Sequence, residues 1–430
     1  MKKYDSYKDS GVKWLGEIPA HWDLQKLKWI FTEKRKITNP SLHSGSISFG
    51  KVVYKDDEKI PAATKNSYQV VNKGEFLLNP LNLNYDLKSL RIALSEIDVV
   101  VSSGYIVLQN RVPINKEYFK WLLHLYDILY MKTLGAGVRQ TINFNDISES
   151  LLCCPDELEQ QAIAEFLDDK TTKIDQAIAI KEKEINLLKE RRQILIQKAV
   201  TKGLDPSVKM KDSGVDWIGE IPEHWEVRKL KYIGKMFSGL TNKKGDDFSK
   251  EPKQGFSPFI PFTNIFRNNK ISEHEFQFVK SNSYDVQNIV EFNDILFLMS
   301  SETFDDIGKN SIYLGKSRVF LNSFCKGFKI FDNNVNPLFI NFLLLSKNYR
   351  EYFASVGRGF TRINIKQEYV LDMPILYIPI NEQTQIVVHL EEIEEKIAKA
   401  ILLKQQETEK LKEYKTVLID NVVTGKIKVS

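Results

Sequence analysis

Cysteine is nearly absent from this chain. Three in 430 residues, two of them adjacent (Cys153 and Cys154) and one distant (Cys325), cannot build a disulfide framework, and no Cys/His spacing suits zinc. They read as small buried residues. Long apolar runs are missing too: none approaches a membrane span, and the opening MKKYDSYKDSG has no apolar region behind its lysines. Neither a signal peptide nor a transmembrane helix is expected, and a cytoplasmic location follows as an expectation.

The usual catalytic motifs are also lacking. Gly315-Lys316-Ser317 resembles the end of a phosphate-binding loop, but Asn310 stands where its earlier glycine belongs. Asn79-Pro80-Leu81 lacks the second proline and the aromatic of the Asn-Pro-Pro-aromatic motif of amino-methyltransferases. Pro155-Asp156 with Asp168-Asp169-Lys170 matches the nuclease pattern PD-(D/E)xK, yet its second half falls on a predicted helix and Glu391-Glu392-Ile393 replaces it in the repeat. Such sites need acids on adjoining strands around a metal, so the match reads as chance. His21 and His224 stand in turns without a nucleophile beside them and read as packing or capping groups. No catalytic residue and no metal site is expected, and the chain reads as a binding or assembly protein.

What is present is duplication. Leu167, Ile174, Lys181, Leu188 and Leu195 recur every seven residues, with Thr171, Ile178, Ile185, Arg192 and Ala199 as a second seam. A shift of 223 residues gives Leu390, Ile397, Lys404, Leu411 and Leu418, flanked by Glu394, Ile401, Thr408, Lys415 and Val422. A sustained heptad predicts coiled-coil helices, each about 65 Å long. The shared lysine, Lys181 matching Lys404, is expected to fix register and partner. Mutual antiparallel pairing is the prediction.

A second repeat precedes each helix. DSGVKWLGEIPAHWDLQKLKWI (9–30) and DSGVDWIGEIPEHWEVRKLKYI (212–233) are identical at 15 of 22 positions, and Trp14, Trp22, Trp217 and Trp225 read as anchors of this arm. Between arm and helix lie two mixed segments of short β-type runs and one helical stretch. They share a plan but few residues, and each closes on a Gly-X-Gly turn with an arginine before Ile-Asn. The predicted organisation is an arm at 1–30, a domain at 31–156, a helix at 157–203, a second arm at 204–233, a second domain at 234–381, a second helix at 382–425 and a tail at 426–430. The fold class is α+β: two mixed α/β domains separated by two long helices, in a circular two-fold pseudo-repeat with the domains at opposite ends of the pair.

Charge follows that division. Residues 157–201 carry a net −1 and 382–424 a net −3, so the rest of the chain holds +9 against a total of +5. A polyanion met by the domains rather than the coil fits this distribution. Two dissimilar basic modules on a rigid spacer suit duplex DNA, whose groove returns every ~34 Å along one face. Base edges call for Arg, Lys, Asn and Gln, and phosphates for cations and amides. Candidates in the first domain are Asn79, Asn82, Asn84, Tyr85, Lys88, Arg91, Arg139 and Gln140. In the second they are Thr241, Asn242, Lys243, Lys244, Asn264, Arg267, Ser300, Ser301, Thr303, Arg358 and Arg362.

Taken together, the arms, the doubled variable domain and the doubled helix resemble the specificity (S) subunit of a Type I restriction-modification enzyme. The arm sequences resemble that family's repeated arm and the helices its two conserved regions. The segments with GEFLLNPLNLNYDLKSLR and DILFLMSSETFDDIG resemble its target recognition domains. The resemblance implies a non-catalytic subunit that reads an asymmetric, bipartite double-stranded DNA sequence, one half-site per domain, with coil length setting the gap. It also implies two modification (methyltransferase) subunits docked on the coil and restriction (translocase and nuclease) subunits joined to that core. No cofactor is expected in this chain; S-adenosylmethionine, ATP and Mg belong to the partners, as does adenine flipping. Two other readings stand beside it. A coiled-coil scaffold that binds only proteins predicts no salt-dependent duplex binding, and a self-contained nuclease on Asp156 and Lys170 predicts metal-dependent cutting.

Overall fold

The computed structural model describes residues 2–82, 90–131, 134, 140–281 and 286–429. Its longer helices, in chain order, are α1 (Lys116–Leu129), α2 (Glu157–Lys202), α3 (Pro337–Leu345), α4 (Lys347–Val356) and α5 (Ile380–Val423). The chain divides into two compact units, Met1–Glu182 with Gln406–Ser430, and Lys183–Gln405. The division falls inside both long helices, so each unit holds one arm, one globular domain and a part of each helix.

In the first unit the arm is a small antiparallel pair, Tyr7–Asp9 against Glu17–Pro19. The chain enters the domain along Asp23–Lys26 and leaves it along Leu151–Cys154, and these two strands pair with each other, Asp23 opposite Cys154 and Lys26 opposite Leu151. Between them lies a four-stranded antiparallel sheet in the order Ile92–Leu94, Phe76–Leu78, Ile106–Asn110, Phe31–Glu33. Helix α1 covers it because Tyr118, Phe119, Leu122, Leu123 and Tyr126 share one face at helical spacing and are buried. Asn115 caps its start, its side chain accepting the Tyr118 N–H. The hairpin Gly45–Ser48/Lys51–Tyr54 turns on Phe49 and Gly50, both at positive φ (47° and 73°), as a two-residue hairpin turn of matching twist requires.

The second unit repeats the entrance, Glu226–Lys229 pairing with Pro374–Tyr377. Its central sheet has five strands, in the order Gly234–Ser238, Cys325–Ile330, Ile295–Leu298, Asn310–Tyr313, Lys270–Ile271, with only the last pair parallel. A further four-stranded sheet is built on Phe256–Ile260 and Gln277–Lys280, where the first unit has the hairpin Gly45–Ser48/Lys51–Tyr54 and the pair Gln69–Val71/Val99–Val101, joined by a parallel bridge between Ser44 and Val100. Common frame and divergent inserts are what the duplicated arms and unlike domains predicted.

The long helices pair antiparallel. In the first unit Asp175 of α2 meets Lys415 of α5 at 2.7 Å and Lys181 meets Glu407 at 2.8 Å, one number rising as the other falls. In the second, Glu184 meets Lys404 at 2.9 Å. By the 223-residue offset Lys181/Glu407 and Lys404/Glu184 are the same pair taken twice. The predicted seam lies inward: Leu167, Ile174, Leu390, Ile397 and Leu418 are buried, while Lys181, Leu188, Leu195, Lys404 and Leu411 are half-buried. Half-exposed ion pairs contribute less than about 1 kcal/mol each, so these lysines set register, and the leucines and isoleucines carry the burial. No helix among the described residues is long and apolar enough to cross a membrane.

Asp294 gives the second unit a pH signature. It is buried ahead of the strand Ile295–Leu298, where its carboxylate accepts the Glu291 N–H (2.9 Å) with Lys329 at 3.9 Å. Burial outweighs that lysine and pushes the carboxyl up from 3.8 to about 6. A raised acid keeps its proton in the folded state, so its contribution to stability is present below about pH 4 and lost as pH rises through about 6. Asp294→Asn keeps the acceptor and loses the charge. It is expected to stabilise the second unit by about 1–3 kcal/mol at pH 7.5 and not at all near pH 4, read from urea midpoints at both pH values. Equal shifts at the two would rule this account out.

Candidate nucleic-acid interface

Each domain brings two of the singled-out segments together through one short strand pair. In the first unit Leu81–Asn82 pairs with Gln140–Thr141, Asn82 opposite Gln140. In the second Ser300–Ser301 pairs with Ile363–Asn364, Ser300 opposite Asn364. The loop leaving a core strand is thus tied in both units to the strand that follows the Gly-X-Gly sequence, although the two sequences share little there. Asn84, Tyr85, Lys88 and Arg139 lie outside the described residues.

Arg91 is 3% exposed: its Nε donates to Asp127 Oδ1 at 3.0 Å and its backbone N–H to the other carboxylate oxygen, while Nη1 and Nη2 have no partner among the described residues. It is a core group, not a surface contact. Asn264 is likewise buried, donating to the His274 carbonyl (3.1 Å) and accepting from Asn268 (2.9 Å). Both are polar residues drawn inward because a partner satisfies them. Ser300 and Ser301 are buried in their strand pair. Asn79 is half-buried, its side chain accepting the Leu81 N–H at 3.1 Å, and it shapes its turn.

Other candidates stand at the surface. Thr241 is held by Gln287, which accepts from its N–H (3.0 Å) and donates to its carbonyl (3.0 Å), and Asn242 follows at φ 56°. Lys244 and Arg267 are exposed and Lys243 half-buried. Thr303 donates to Asp306 at 2.6 Å. That loop is pinned by the half-buried Arg350 of α4, whose guanidinium donates to the carbonyls of Asp305 (3.0 Å) and Ile307 (2.5 Å); loss of water around it lowers Arg350 to about 10. Arg358 and Arg362 are both exposed, Arg362 lying over the Phe324 ring at 5.0 Å. The sequence reading passed over Lys326, which reaches Gln367 at 2.6 Å, and over the exposed aromatics Phe324 and Phe360. A search confined to polar base readers misses rings, and an aromatic between two arginines in a glycine turn was the available signal.

The histidines and the nuclease-like acids have structural roles. His21 and Trp22 both contact Glu159 at 2.9 Å, and His224 and Trp225 both contact Glu382, at 2.8 and 3.1 Å. The arm is thereby fastened to the first turn of the long helix twice, in the same way. Asp156 caps α2 by accepting the Glu159 N–H (2.9 Å), and Asp168 accepts from Lys120 and Trp121 (2.9 Å each). Cys153 is buried, its thiol pushed up to about 12 by burial, and Cys325 is buried as expected.

Comparison with known proteins agrees with this frame. Residues 82–190 and 222–413 match the model of the Type I restriction modification DNA specificity domain. Two relatives come from Methanocaldococcus jannaschii. One, assigned as the specificity subunit of the type I restriction enzyme MjaX, is 24% identical over 98% of each chain; the other, the type I restriction enzyme MjaVIII specificity subunit, is 25% identical over 77% of this chain and 75% of its own. Among solved structures, a chain from a type I R-M system studied for complex assembly and conformational transition superimposes with a TM-score of 0.69 at 14% identity, covering 94% of this chain and 98% of its own. The HsdS subunit from Thermoanaerobacter tengcongensis gives 0.50 at 14% identity, over 95% and 98%. With the family model matching well over half of the chain, including parts of both domains and most of both long helices, the chain belongs to the Type I restriction-modification DNA specificity family, whose members are specificity subunits and not catalysts.

Proposed function

We propose that this chain recognises an asymmetric, bipartite double-stranded DNA sequence, each domain reading one half-site and the paired helices setting the unspecified gap. The observation that carries this is the repetition of a frame around two unlike domains. The arm, the entrance strand pair, the arm-to-helix clamp and the loop-to-turn strand pair recur, while sheet size and loop residues differ. A protein that read the same half-site twice would have no use for that difference. The surface cations Lys244, Arg267, Arg358 and Arg362 suit phosphate and base-edge contacts.

On this reading two modification subunits dock on the coil, and restriction subunits join that core. S-adenosylmethionine, ATP and Mg are used by those partners, and the chain works in the cytoplasm beside the DNA it marks. Adenine methylation falls within each half-site. Methylome sequencing of cells that express the methyltransferase partner with and without this chain tests the proposal. An asymmetric motif of two short blocks around a fixed gap is expected only when the chain is present. A partner that folds and co-purifies with the chain yet yields no new motif would favour a protein-binding scaffold.

A further inference from the structure

Phe360 is 100% exposed at the tip of the turn Arg358–Arg362. Single exposed apolar side chains are common and mean little alone; what sets this one apart is how it is held. Arg358 and Asn364 exchange backbone hydrogen bonds in both directions (3.0 and 2.9 Å), closing the turn. Gly359, at φ 141°, has no room for a side chain, since a Cβ there would lie 2.0 Å from the Arg362 carbonyl oxygen. The foot of the turn is fixed by Ile363, buried on the strand that pairs with Ser300–Ser301. The guanidinium of Arg358 is anchored on the carbonyls of Ser355 (2.6 Å) and Gly357 (2.8 Å), and that of Arg362 on the Phe324 ring. A rigid hairpin holds a bare ring in solvent with one anchored cation on either side.

The charge around it selects the occupant. Residues 355–367 contain Arg358, Arg362 and Lys366 and no acid, with Glu302 following the paired strand. An apolar protein partner would gain nothing from two flanking arginines. A base step in a duplex is an apolar slot bounded on both sides by phosphates, and apolar wedges entering such a step unstack it and kink the helix. We propose that Phe360 inserts between neighbouring bases of the half-site read by the second domain, with Arg358 and Arg362 on the flanking phosphates, so that specificity there includes how readily that step opens. This rests on the DNA-reading function proposed above.

The test uses the chain in complex with its methyltransferase partner and duplexes carrying its methylome-defined sequence. 2-Aminopurine replaces one base at a time across the second half-site, leaving out the methylated adenine. One step is expected to brighten when the unaltered complex binds and to stay dark with Phe360→Ala. That variant should bind about 5- to 150-fold more weakly with an unchanged salt slope, because no phosphate contact is lost. Phe360→Trp should restore both readouts. Because the ring is exposed, its removal leaves folding intact, which the melting temperature checks. If the variant bound and brightened as the original does, or lost the methyltransferase partner instead of the DNA, the insertion would be overturned. Failure of the unaltered complex to bind the duplex would instead sink the DNA-reading function.

Discussion

Asp127→Ala is expected to destabilise the first unit by about 3–5 kcal/mol, the first unfolding transition in urea moving to much lower denaturant. Arg91 and Asp127 are both almost wholly enclosed between α1 and the strand Ile92–Leu94, and the guanidinium has no other carboxylate beside it among the described residues. Removing the acid strands a buried cation whose Nη1 and Nη2 have no partner among the described residues. The pair itself is a different matter. Because desolvation consumes most of what the attraction returns, Arg91→Met with Asp127→Leu should recover most of the loss. A single mutant costing under about 1 kcal/mol, or a double mutant as unstable as the single, would refute the account.

Removing the facing segments 181–187 and 401–407 together should abolish methylation of the original sequence while leaving each half-site legible. The excision takes out Lys181, Glu184, Lys404 and Glu407 at once, so each of these two ion pairs disappears with both its members. A whole heptad keeps the apolar seam in phase and shortens the pair by about 10 Å. At 3.4 Å per base pair that is about three base pairs of gap. Methylome sequencing of cells carrying the shortened chain reads the outcome directly. A motif with the same gap, or with new half-site bases, would show that the helices are not the ruler.

How far the sequence could be read depended on the range of each interaction. The seam was legible because Leu167 to Leu195 repeat every seven residues, and its partner because Leu390 to Leu418 repeat the same order. Periodicity is local and survives as text. The arm-to-helix clamp was half legible: Trp22 and Trp225 announced anchoring, but the acceptors Glu159 and Glu382 lie 137 and 157 residues away. Only the recurrence of the same Trp and Glu in both copies links them, the arm repeating after 203 residues and the helix after 223. Arg91 was misplaced because a polar residue in a polar stretch looks like surface until its distant partner is known, and Asn264 because the turns that bring His274 and Asn268 to it leave no periodic mark. Asp127, 36 residues on, carries no local mark of that role. Phe360 went unseen for the opposite reason, since nothing in its own identity says that a ring is left in water.

The entrance strand pairs have a consequence for inheritance. Everything between Lys26 and Leu151 enters and leaves the frame through one two-strand doorway, and everything between Lys229 and Pro374 through its counterpart. Backbone hydrogen bonds make that doorway, so it accepts any insert whose two ends arrive side by side. Flanking it are arms alike at 15 of 22 positions, the kind of matched borders along which genes exchange segments. A lineage carrying this frame would therefore change the DNA sequence it recognises by trading whole cassettes in one event, without passing through intermediates whose helices or clamps no longer fit.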